Sequence, residues 1–407
     1  LPGSRRRLWV RPARPSGRGG RAGRAGGKRR IQRQTGARGS GRNISGEKAL
    51  TSTQRDAEEH NCGDETRDGR QMSNIYEIAK KTKLSPSTVA RALSGRGYCS
   101  QKARELVLKT AKEMNYVPSQ AAKTLRSNIT NKILLCIPDI YNPFYFRMIQ
   151  GVSDVCEKYR YRTILVSSNH CAEKEMQTVD SMREKYADGL IMVSFNFTEP
   201  LVERIKRCAV PVVLTNFFED YSEKSNFDCV YVDHIKATYL AANHLIRRGH
   251  RDVVFVGGSR EEQTGRERLS GYIKALEANG LSFREEYFLT ADFRRGLARD
   301  RFREFLESGR PVSAVVTAND LMGVGVADVC HEKGLRIPAD LSLVTLDNTD
   351  FCTCVYPNLT SVDMKQETIG AMAAELLFER IRGHREFRKS LLIEPELICR
   401  ESVIDYK

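Results

Sequence analysis

The chain has 407 residues and a formal net charge of +15, and apolar residues make up 40% of it. This length allows two or three domains with hydrophobic cores. No run of 18 apolar residues is present, and the basic amino-terminal stretch lacks the apolar segment of a secretory signal, so neither a transmembrane helix nor export is expected. The 11 cysteines are odd in number and have no CxxC spacing. They argue against a disulfide framework or a zinc site and favour a reducing cytoplasmic setting.

Positive charge is concentrated towards the amino terminus. Residues 1–71 contain 18 Lys and Arg against 7 Asp and Glu, and residues 72–130 contain 11 against 3. The two segments have net charges of +11 and +8, so the remainder of the chain, 131–407, has a net charge of −4. A short basic module on a mildly acidic body is typical of a protein that binds a polyanion.

The first 71 residues are predicted to be a disordered basic extension. Residues 1–41 are rich in Gly, Arg, Pro and Ser, and Trp9 is their only aromatic residue. Such a composition cannot bury enough apolar surface to offset the entropy lost on ordering. One interpretation is an arm that binds nucleic acid. The other is that this extension is not part of the native protein, because an orderly sequence begins at Met72.

Three short amphipathic helices are predicted between residues 74 and 115. The first has an apolar stripe at Ile75, Ile78 and Ala79. The second begins at Ser85-Pro86, because serine is a good N-cap and proline suits the first helical position. The third begins after Ser100. With a basic surface, this arrangement predicts a helix-turn-helix domain whose second helix enters the major groove, and a small bundle with solvated lysines is the alternative.

A short segment after these helices is predicted to be a hinge, within residues 118–130. Asn115 and Pro118 end the third helix, and Ser119 can cap a further helix of about two turns. A helix this short is marginal in water by itself. We therefore expect it to form only against a partner.

From residue 131 onward, apolar β-branched runs alternate with helical stretches. Strands are predicted at 133–137, 163–166, 190–193, 212–214, 253–256, 314–316 and 343–346. Runs of this kind, separated by helices, predict parallel strands buried on both faces, in an α/β body that binds ligands at the carboxyl ends of the strands. A helix at 235–248 is expected to connect two lobes.

Candidate ligand-binding residues follow the predicted strands. They are Tyr141, Asn142, Phe144, Tyr145, Ser194, Asn196, Arg268, Phe293, Asn319, Asp320, Asp347 and Asn348. Aromatic rings combined with an arginine, carboxylates and amides favour a sugar, although a purine or another polar metabolite would suit much the same groups. No nucleophile, base or metal-ligand set converges, so we expect no catalytic residues, no metal and no cofactor.

The segments NIYEIAKKTKLSPSTVARALSG and SQKARELVLKTAKEMNYVPSQAAKTLRS resemble the lactose-repressor/galactose-repressor (LacI/GalR) family, over residues 72–407. The resemblance implies an N-terminal helix-turn-helix domain (72–117), a hinge helix and linker (118–130), and a two-lobed periplasmic-binding-protein-like α/β body (131–407). It implies a homodimer that binds palindromic operator DNA in the bacterial cytoplasm, at the nucleoid. We expect a repressor whose operator affinity is controlled by a small-molecule effector.

The resemblance also assigns roles to individual residues. The recognition helix is matched by Ser85, Pro86, Ser87, Thr88 and Arg91, with Ser100 as a further DNA-binding candidate. Ala122 and Leu125 match the hinge residues at the minor groove, where an apolar wedge kinks DNA. The effector site comprises Tyr141, Phe144, Ser194, Arg268, Phe293, Asn319 and Asp347, of which Arg268 and Asp347 match effector contacts of the family.

The sequence departs from the LacI/GalR pattern at two positions, and two alternative functions remain open. Lys83 occupies a turn position that the family usually gives to glycine, and a positive φ there would cost on the order of 1 kcal/mol. Pro86 has no polar group, so base reading depends on Ser87, Thr88 and Arg91, and Arg91 contacts either a guanine or a phosphate. The alternative functions are a solute-binding protein without a regulatory role, built on the same body, and an enzyme.

Overall fold

The computed structural model describes residues 75–95, 97–117, 124, 127–195, 197–217 and 227–406. They fall into two compact units that divide between residues 119 and 120. The predicted extension (1–71) and the hinge residues Ala122 and Leu125 lie outside the described residues. Among the described helices, none has the length and apolar character needed to cross a membrane.

The smaller unit contains the three predicted helices. They are α1 (Ile75–Thr82), α2 (Pro86–Ser94) and α3 (Gln101–Glu113). Their common core consists of Ile78, Ala79, Val89, Ala92, Val107 and Ala111. Lys83, in the turn between α1 and α2, has a φ of 54°. The left-handed conformation considered for this lysine is therefore present.

Twelve strands are described in the larger unit. They are β1 (Lys132–Ile137), β2 (Arg162–Ser167), β3 (Gly189–Met192), β4 (Val212–Leu214), β5 (Asp228–Val232), β6 (Val253–Gly257), β7 (Phe288–Thr290), β8 (Ala314–Thr317), β9 (Ser342–Asp347), β10 (Thr360–Asp363), β11 (Ser390–Ile393) and β12 (Glu396–Ile398). Each of the seven predicted strands is present, with bounds that differ by no more than one residue. Strands β5, β7, β10, β11 and β12 were not predicted.

Nine helices described in this unit pack against the strands. They are α4 (Phe144–Lys158), α5 (Ala172–Arg183), α6 (Glu199–Lys206), α7 (His234–Arg247), α8 (Gln263–Glu277), α9 (Arg295–Glu307), α10 (Asp320–Glu332), α11 (Phe351–Cys354) and α12 (Gln366–Ile381). The central strands are buried on both faces, as in β9, where all six residues are buried. This burial is expected of parallel strands covered by helices.

The strands form two six-stranded sheets, one in each lobe. The order is β11-β5-β4-β3-β1-β2 in the first sheet and β12-β10-β9-β8-β6-β7 in the second. All pairs are parallel except β10 with β12, which are antiparallel. The chain crosses between the lobes after β5, after β10 and after β11. Helix α7 makes the first crossing, as predicted for the helix at 235–248.

Helices α4 and α12 pack unusually closely through two glycines. A Cβ atom on Gly151 would lie 2.2 Å from the carbonyl oxygen of Glu367, and one on Gly370 would lie 2.2 Å from that of Met148. Only glycine permits this approach. The packing fixes the start of α12, where the Gln366 amide donates a hydrogen bond to the carbonyl oxygen of Asp347 at the end of β9.

Candidate functional site

The exposed start of α2 presents a compact group of hydroxyls. The Ser85 side chain caps the helix by accepting a hydrogen bond from the Thr88 amide at 3.2 Å. Its Oγ also lies 2.9 Å from both Ser87 Oγ and Thr88 Oγ1. Pro86 follows as the first helical residue. These residues lie where a helix N-terminus favours negative charge, so the surface suits a phosphate or a base edge.

Arg91 lies on the exposed surface one turn further along α2. Its Nε donates to the Ser87 carbonyl oxygen at 3.3 Å, and a terminal nitrogen donates to that of Tyr98 at 3.4 Å. Both bonds are long, so the guanidinium is oriented by the backbone and its remaining donors stay exposed. Ser100 caps α3 by accepting from the Ala103 amide at 3.3 Å. This cap begins the third helix, and the DNA contact expected of Ser100 stays a prediction.

A cavity of about 700 Å³ lies between the two lobes of the body. Its wall is formed by residues that follow the carboxyl ends of strands in both sheets, the usual place for a ligand in parallel α/β folds. Six of the seven predicted effector residues line it: Tyr141, Phe144, Arg268, Phe293, Asn319 and Asp347. The first two come from one lobe and the other four from the second.

Arg268 and Asp347 form a buried ion pair at the bottom of the cavity. Their side chains are 5% and 4% exposed, and the distance from a guanidinium nitrogen to Asp347 Oδ1 is 3.5 Å. Arg268 also donates to the carbonyl oxygen of Ala318. Neither Arg268 Nε nor Asp347 Oδ1 has a hydrogen-bond partner among the described residues. Since buried polar atoms are normally paired, both are available to a ligand.

The protonation of Asp347 is balanced close to neutrality. Burial raises the pKa of its carboxyl to about 7, with Arg268 opposing the shift and the nearby Asp320 reinforcing it. Asp347 also has a φ of 103°, which is rare for a residue with a side chain. Such backbone strain is tolerated where the surrounding structure fixes a functional group.

A strained loop after β7 holds an aromatic ring against this ion pair. Asp292 and Phe293 have φ values of 45° and 59°, and the Arg268 guanidinium lies 5.4 Å from the Phe293 ring centroid. Asn319 fixes the loop by donating to the Phe293 carbonyl oxygen at 3.0 Å, while its own oxygen caps α10. A Cβ on Gly258 would lie 2.4 Å from the ring, so glycine is needed beneath it.

The opposite lobe contributes a loop of aromatic residues between β1 and α4. Tyr141 is 84% exposed, whereas Phe144 is half-buried and packs edge-on against Tyr145 with centroids 5.1 Å apart. Asn142 accepts a hydrogen bond from the Phe144 amide at 3.0 Å and so shapes this turn. Tyr141 is therefore free to pack on a bound molecule.

The prediction for Ser194 is not supported by its position. Its side chain is 1% exposed and donates to a carboxylate oxygen of Glu175 at 2.6 Å, away from the cavity wall. Its neighbours Val193 and Phe195 line the cavity instead. Successive residues of an extended segment point to opposite sides, so the assignment failed by one position. Asn196 lies outside the described residues.

Two other candidates have structural roles. Asp320 accepts hydrogen bonds from Thr345 at 2.5 Å and Ser361 at 3.0 Å, and from the amide and hydroxyl of Thr349. It lies behind the cavity and connects β9, β10 and α10. Asn348 accepts from Arg400 at 2.6 Å. Neither side chain lines the cavity.

Among the cavity residues that the sequence did not single out, three have buried polar atoms that could contact a ligand. Thr215 and Asn216 follow β4, and His234 begins α7 just after β5. Thr215 Oγ1, Asn216 Oδ1 and His234 Nδ1 are buried without a hydrogen-bond partner among the described residues. Burial and the Arg268 charge lower the pKa of His234, so its ring is neutral. Thr215 and Asn216 could have been predicted, because they directly follow the predicted strand at 212–214.

The sequence comparisons agree with this architecture. The profile described as "Bacterial regulatory proteins, lacI family" matches residues 74–119, and "Periplasmic binding protein-like domain" matches residues 242–403. Catabolite control protein A of Priestia megaterium is 34% identical over 304 residues, 74% of this chain and 91% of that protein. The chain belongs to the LacI family of bacterial regulatory proteins. It is a DNA-binding transcriptional regulator.

Other LacI-family members extend the match over nearly their whole length. The HTH-type transcriptional repressor PurR of Erwinia tasmaniensis is 30% identical over 335 residues, 82% of this chain and 98% of that protein. The transcriptional regulator CelR–cellobiose complex has a TM-score of 0.62 at 27% identity, covering 81% of this chain and 99% of that one. The lac repressor dimer bound to operator has a TM-score of 0.71 at 22% identity, covering 82% and 99%, and shows the shared fold.

LacI-family membership decides against the solute-binding alternative. A solute-binding protein without a regulatory role would not include the DNA-binding match at residues 74–119. Within the described ranges, no group of three or more His, Cys, Asp or Glu residues could hold a metal ion.

Proposed function

We propose that this regulator binds a palindromic operator as a homodimer and that a small polar effector in the interlobe cavity controls its operator affinity. The observation that carries the proposal is a set of five buried polar side-chain atoms that have no hydrogen-bond partner among the described residues and face one cavity from both lobes. They belong to Thr215, Asn216, His234, Arg268 and Asp347. A ligand that pairs them all must contact both lobes at once, so its binding favours one angle between the lobes.

The division of the chain follows from this proposal. Residues 72–117 bind DNA, 118–130 serve as hinge helix and linker, and 131–407 bind the effector and dimerise; residues 1–71 are an additional basic extension. In the hinge, Ala122 and Leu125 contact the minor groove, with Leu125 as the apolar wedge. A two-fold dimer places two recognition helices on a symmetric site.

The hydroxyl group at the start of α2 and Arg91 make the major-groove contacts. Ser87 and Thr88 are short donors and acceptors that suit base edges, and Ser85 holds them by capping the helix. Arg91 supplies the positive charge on this face. Its exposed donors fit a guanine edge or a phosphate.

A sugar is the effector that these residues fit best. The Phe293 ring offers an apolar face beside the Arg268–Asp347 pair, which can bind adjacent hydroxyls. Phe144 and Tyr141 cover the other side of the cavity. The related regulator CelR is described in complex with cellobiose. With no catalytic group among the proposed contacts, binding alone is the function of this site.

The lobes are already in contact on both sides of the cavity. The Gln263 amide donates to the carbonyl oxygen of Phe217 at 2.9 Å, and Arg147 pairs with Asp350 at 2.6 Å. These bonds join opposite lobes and break if the lobes separate. The effector adds its differential affinity for the closed arrangement, typically 1–3 kcal/mol in allosteric proteins. We expect a repressor, acting at the nucleoid in the bacterial cytoplasm.

Operator selection from a random duplex library, followed by fluorescence anisotropy, tests the proposal. The selected site should be palindromic, and at least one compound from a panel of sugars, nucleobases and nucleosides should change the affinity for it about five- to 150-fold. The Arg268→Ala variant should bind the same site without responding. A response that is identical in this variant would show that the cavity is not the effector site.

A further inference from the structure

The wall of the interlobe cavity is acidic. Five carboxylates and three arginines line it: Asp139, Glu261, Glu262, Asp292, Asp347, Arg268, Arg294 and Arg295. The wall therefore has two more acidic than basic side chains. Their charges matter because solvent screens charges poorly in a partly closed cleft. The sign of the wall therefore restricts which ligands can enter.

The three arginines are already paired with carboxylates. Arg268 faces Asp347 at 3.5 Å, and Arg294 lies 3.6 Å from Asp292. Arg295 turns to Asp328, which it binds through two nitrogens at 2.9 and 3.0 Å. Each of the three therefore already has a carboxylate partner that offsets its positive charge.

Three carboxylates, in contrast, have no arginine or lysine partner. Asp139, Glu261 and Glu262 form no ion pair with a lysine or arginine of the described residues. Burial raises the pKa of Glu262, with His170 opposing the shift and Asp292 reinforcing it. The charges of His170 and Asp292 are therefore the two that act on the Glu262 carboxyl.

Glu262 also occupies a position that would otherwise attract an anion. It is the N-cap residue of α8, although its side chain makes no capping hydrogen bond with that helix, and Asn319 caps α10 at the same cavity. Helix N-termini favour negative charge, and at α8 the Glu262 carboxylate already provides it. The free polar groups of the opposite lobe, on Thr215, Asn216 and His234, are uncharged.

From these charges we infer that the effector has no anionic group: it is an unphosphorylated sugar or an amino sugar. The inference rests on the proposed function of this cavity and narrows the chemistry of its ligand. A phosphate would face three unneutralised carboxylates without a free arginine to bind it. We expect phosphorylation to weaken binding about tenfold or more.

Matched sugars test the inference on the full chain. Ribose, glucose and trehalose are compared with ribose 5-phosphate, glucose 6-phosphate and trehalose 6-phosphate, and glucose also with glucosamine, by calorimetry and by operator anisotropy. In addition, a bacterial metabolite extract is separated on an anion exchanger at pH 8. The activity that changes operator affinity should appear in the unretained fraction and survive phosphatase treatment.

Glu262→Gln provides the matched variant, with Glu286→Gln as its control. Glu286 is in the same lobe and does not line the cavity. The first substitution should reduce the disadvantage of a phosphorylated sugar roughly threefold, and the control should not. Tighter binding of any phosphorylated sugar than of its parent, or activity confined to the retained fraction, would overturn the inference while leaving the proposed function intact. Intact operator binding with no active fraction would reject both.

Discussion

The operator-binding face and the effector cavity recognise polar ligands at opposite extremes of solvent exposure. On α2, Ser87 and Arg91 are exposed, and Arg91 is held only by long bonds to backbone oxygens. In the cavity, Arg268 and Asp347 are almost fully buried, and each has one polar atom without a hydrogen-bond partner among the described residues. The exposed groups are solvated before binding, whereas the buried groups have already lost their water.

The difference predicts how each site should respond to change. Loss of a contact on the exposed face removes an interaction with DNA but leaves no buried polar group without a partner. Salt screens the remaining charge interactions with DNA. Loss of one member of the buried pair leaves the other charge without compensation. Substitutions should therefore have local effects on α2 and coupled effects on ligand binding, stability and pH response in the cavity.

The largest effect is expected for Arg268→Ala. Effector affinity should fall about 100-fold or more, because a charged donor is lost and Asp347 is left unpaired. The free energy of unfolding should fall by about 1–3 kcal/mol at pH 8 and by less at pH 6, where Asp347 can take up a proton. Calorimetry and chemical denaturation measure the two quantities. Arg260→Ala, which breaks an exposed pair with Glu285, is the control and should change neither.

Arg91→Ala should weaken operator binding by about 1–3 kcal/mol and leave effector binding unchanged. Anisotropy at several salt concentrations distinguishes the two possible contacts. If Arg91 binds a phosphate, the slope of log affinity against log salt should decrease by about one; if it binds guanine, discrimination at one base pair should be lost. Arg301→Ala, on the surface of the body, serves as the control. Equal operator affinity in both variants would remove Arg91 from the interface.

Effector affinity should depend on pH through Asp347. Ligand hydroxyls bind the carboxylate, whose pKa is about 7, so affinity should rise about tenfold between pH 6 and pH 8. The stability of the free protein changes in the opposite direction: a carboxyl whose pKa is raised on folding stabilises at low pH, and this contribution is lost as pH rises from about 4 to 7. Asp347→Asn should abolish both dependences. Calorimetric titrations across this range measure the first, and thermal unfolding measures the second.

The smallest effects are expected in the other lobe. Thr215→Val should weaken effector binding by about 0.5–1.5 kcal/mol without destabilising the protein, because its hydroxyl has no partner among the described residues. Thr345→Val should destabilise the protein and leave effector binding unchanged, because the Thr345 hydroxyl donates a hydrogen bond to the buried Asp320. Calorimetry and chemical denaturation on both variants should show reduced effector affinity only in Thr215→Val and reduced stability only in Thr345→Val. A loss of stability in Thr215→Val would mean that this hydroxyl has a structural role.

The same contrast explains how much could be predicted from the sequence. The helix-turn-helix is encoded locally: Ser85 and Pro86 begin α2, and the cap lies where the pattern predicts it. The central strands were also predicted closely, because apolar β-branched runs bounded by helices leave little ambiguity. The resemblance supplied the roles of Arg268 and Asp347 as effector contacts, and the structure supplied their pairing and burial.

Other lining residues of the cavity could not be predicted, because their positions depend on strand order and on the direction of each side chain. β5 was not predicted, so the place of His234 at its carboxyl end could not be seen. Ser194 was chosen in place of Phe195 because the direction of each side chain after β3 is not evident from composition. Asp320 follows a strand like the true lining residues, yet its four hydrogen bonds direct it into the lobe.

Operator anisotropy with and without the responding sugar, on the wild type, Arg268→Ala and Arg91→Ala, tests the central claim most directly. Arg268→Ala should bind operator as the wild type does without sugar, and the addition of sugar should no longer change that affinity. Arg91→Ala should lose operator affinity while calorimetry still detects sugar binding. A sugar response that survives in Arg268→Ala, or sugar binding that fails in Arg91→Ala, would contradict the separation of the two sites.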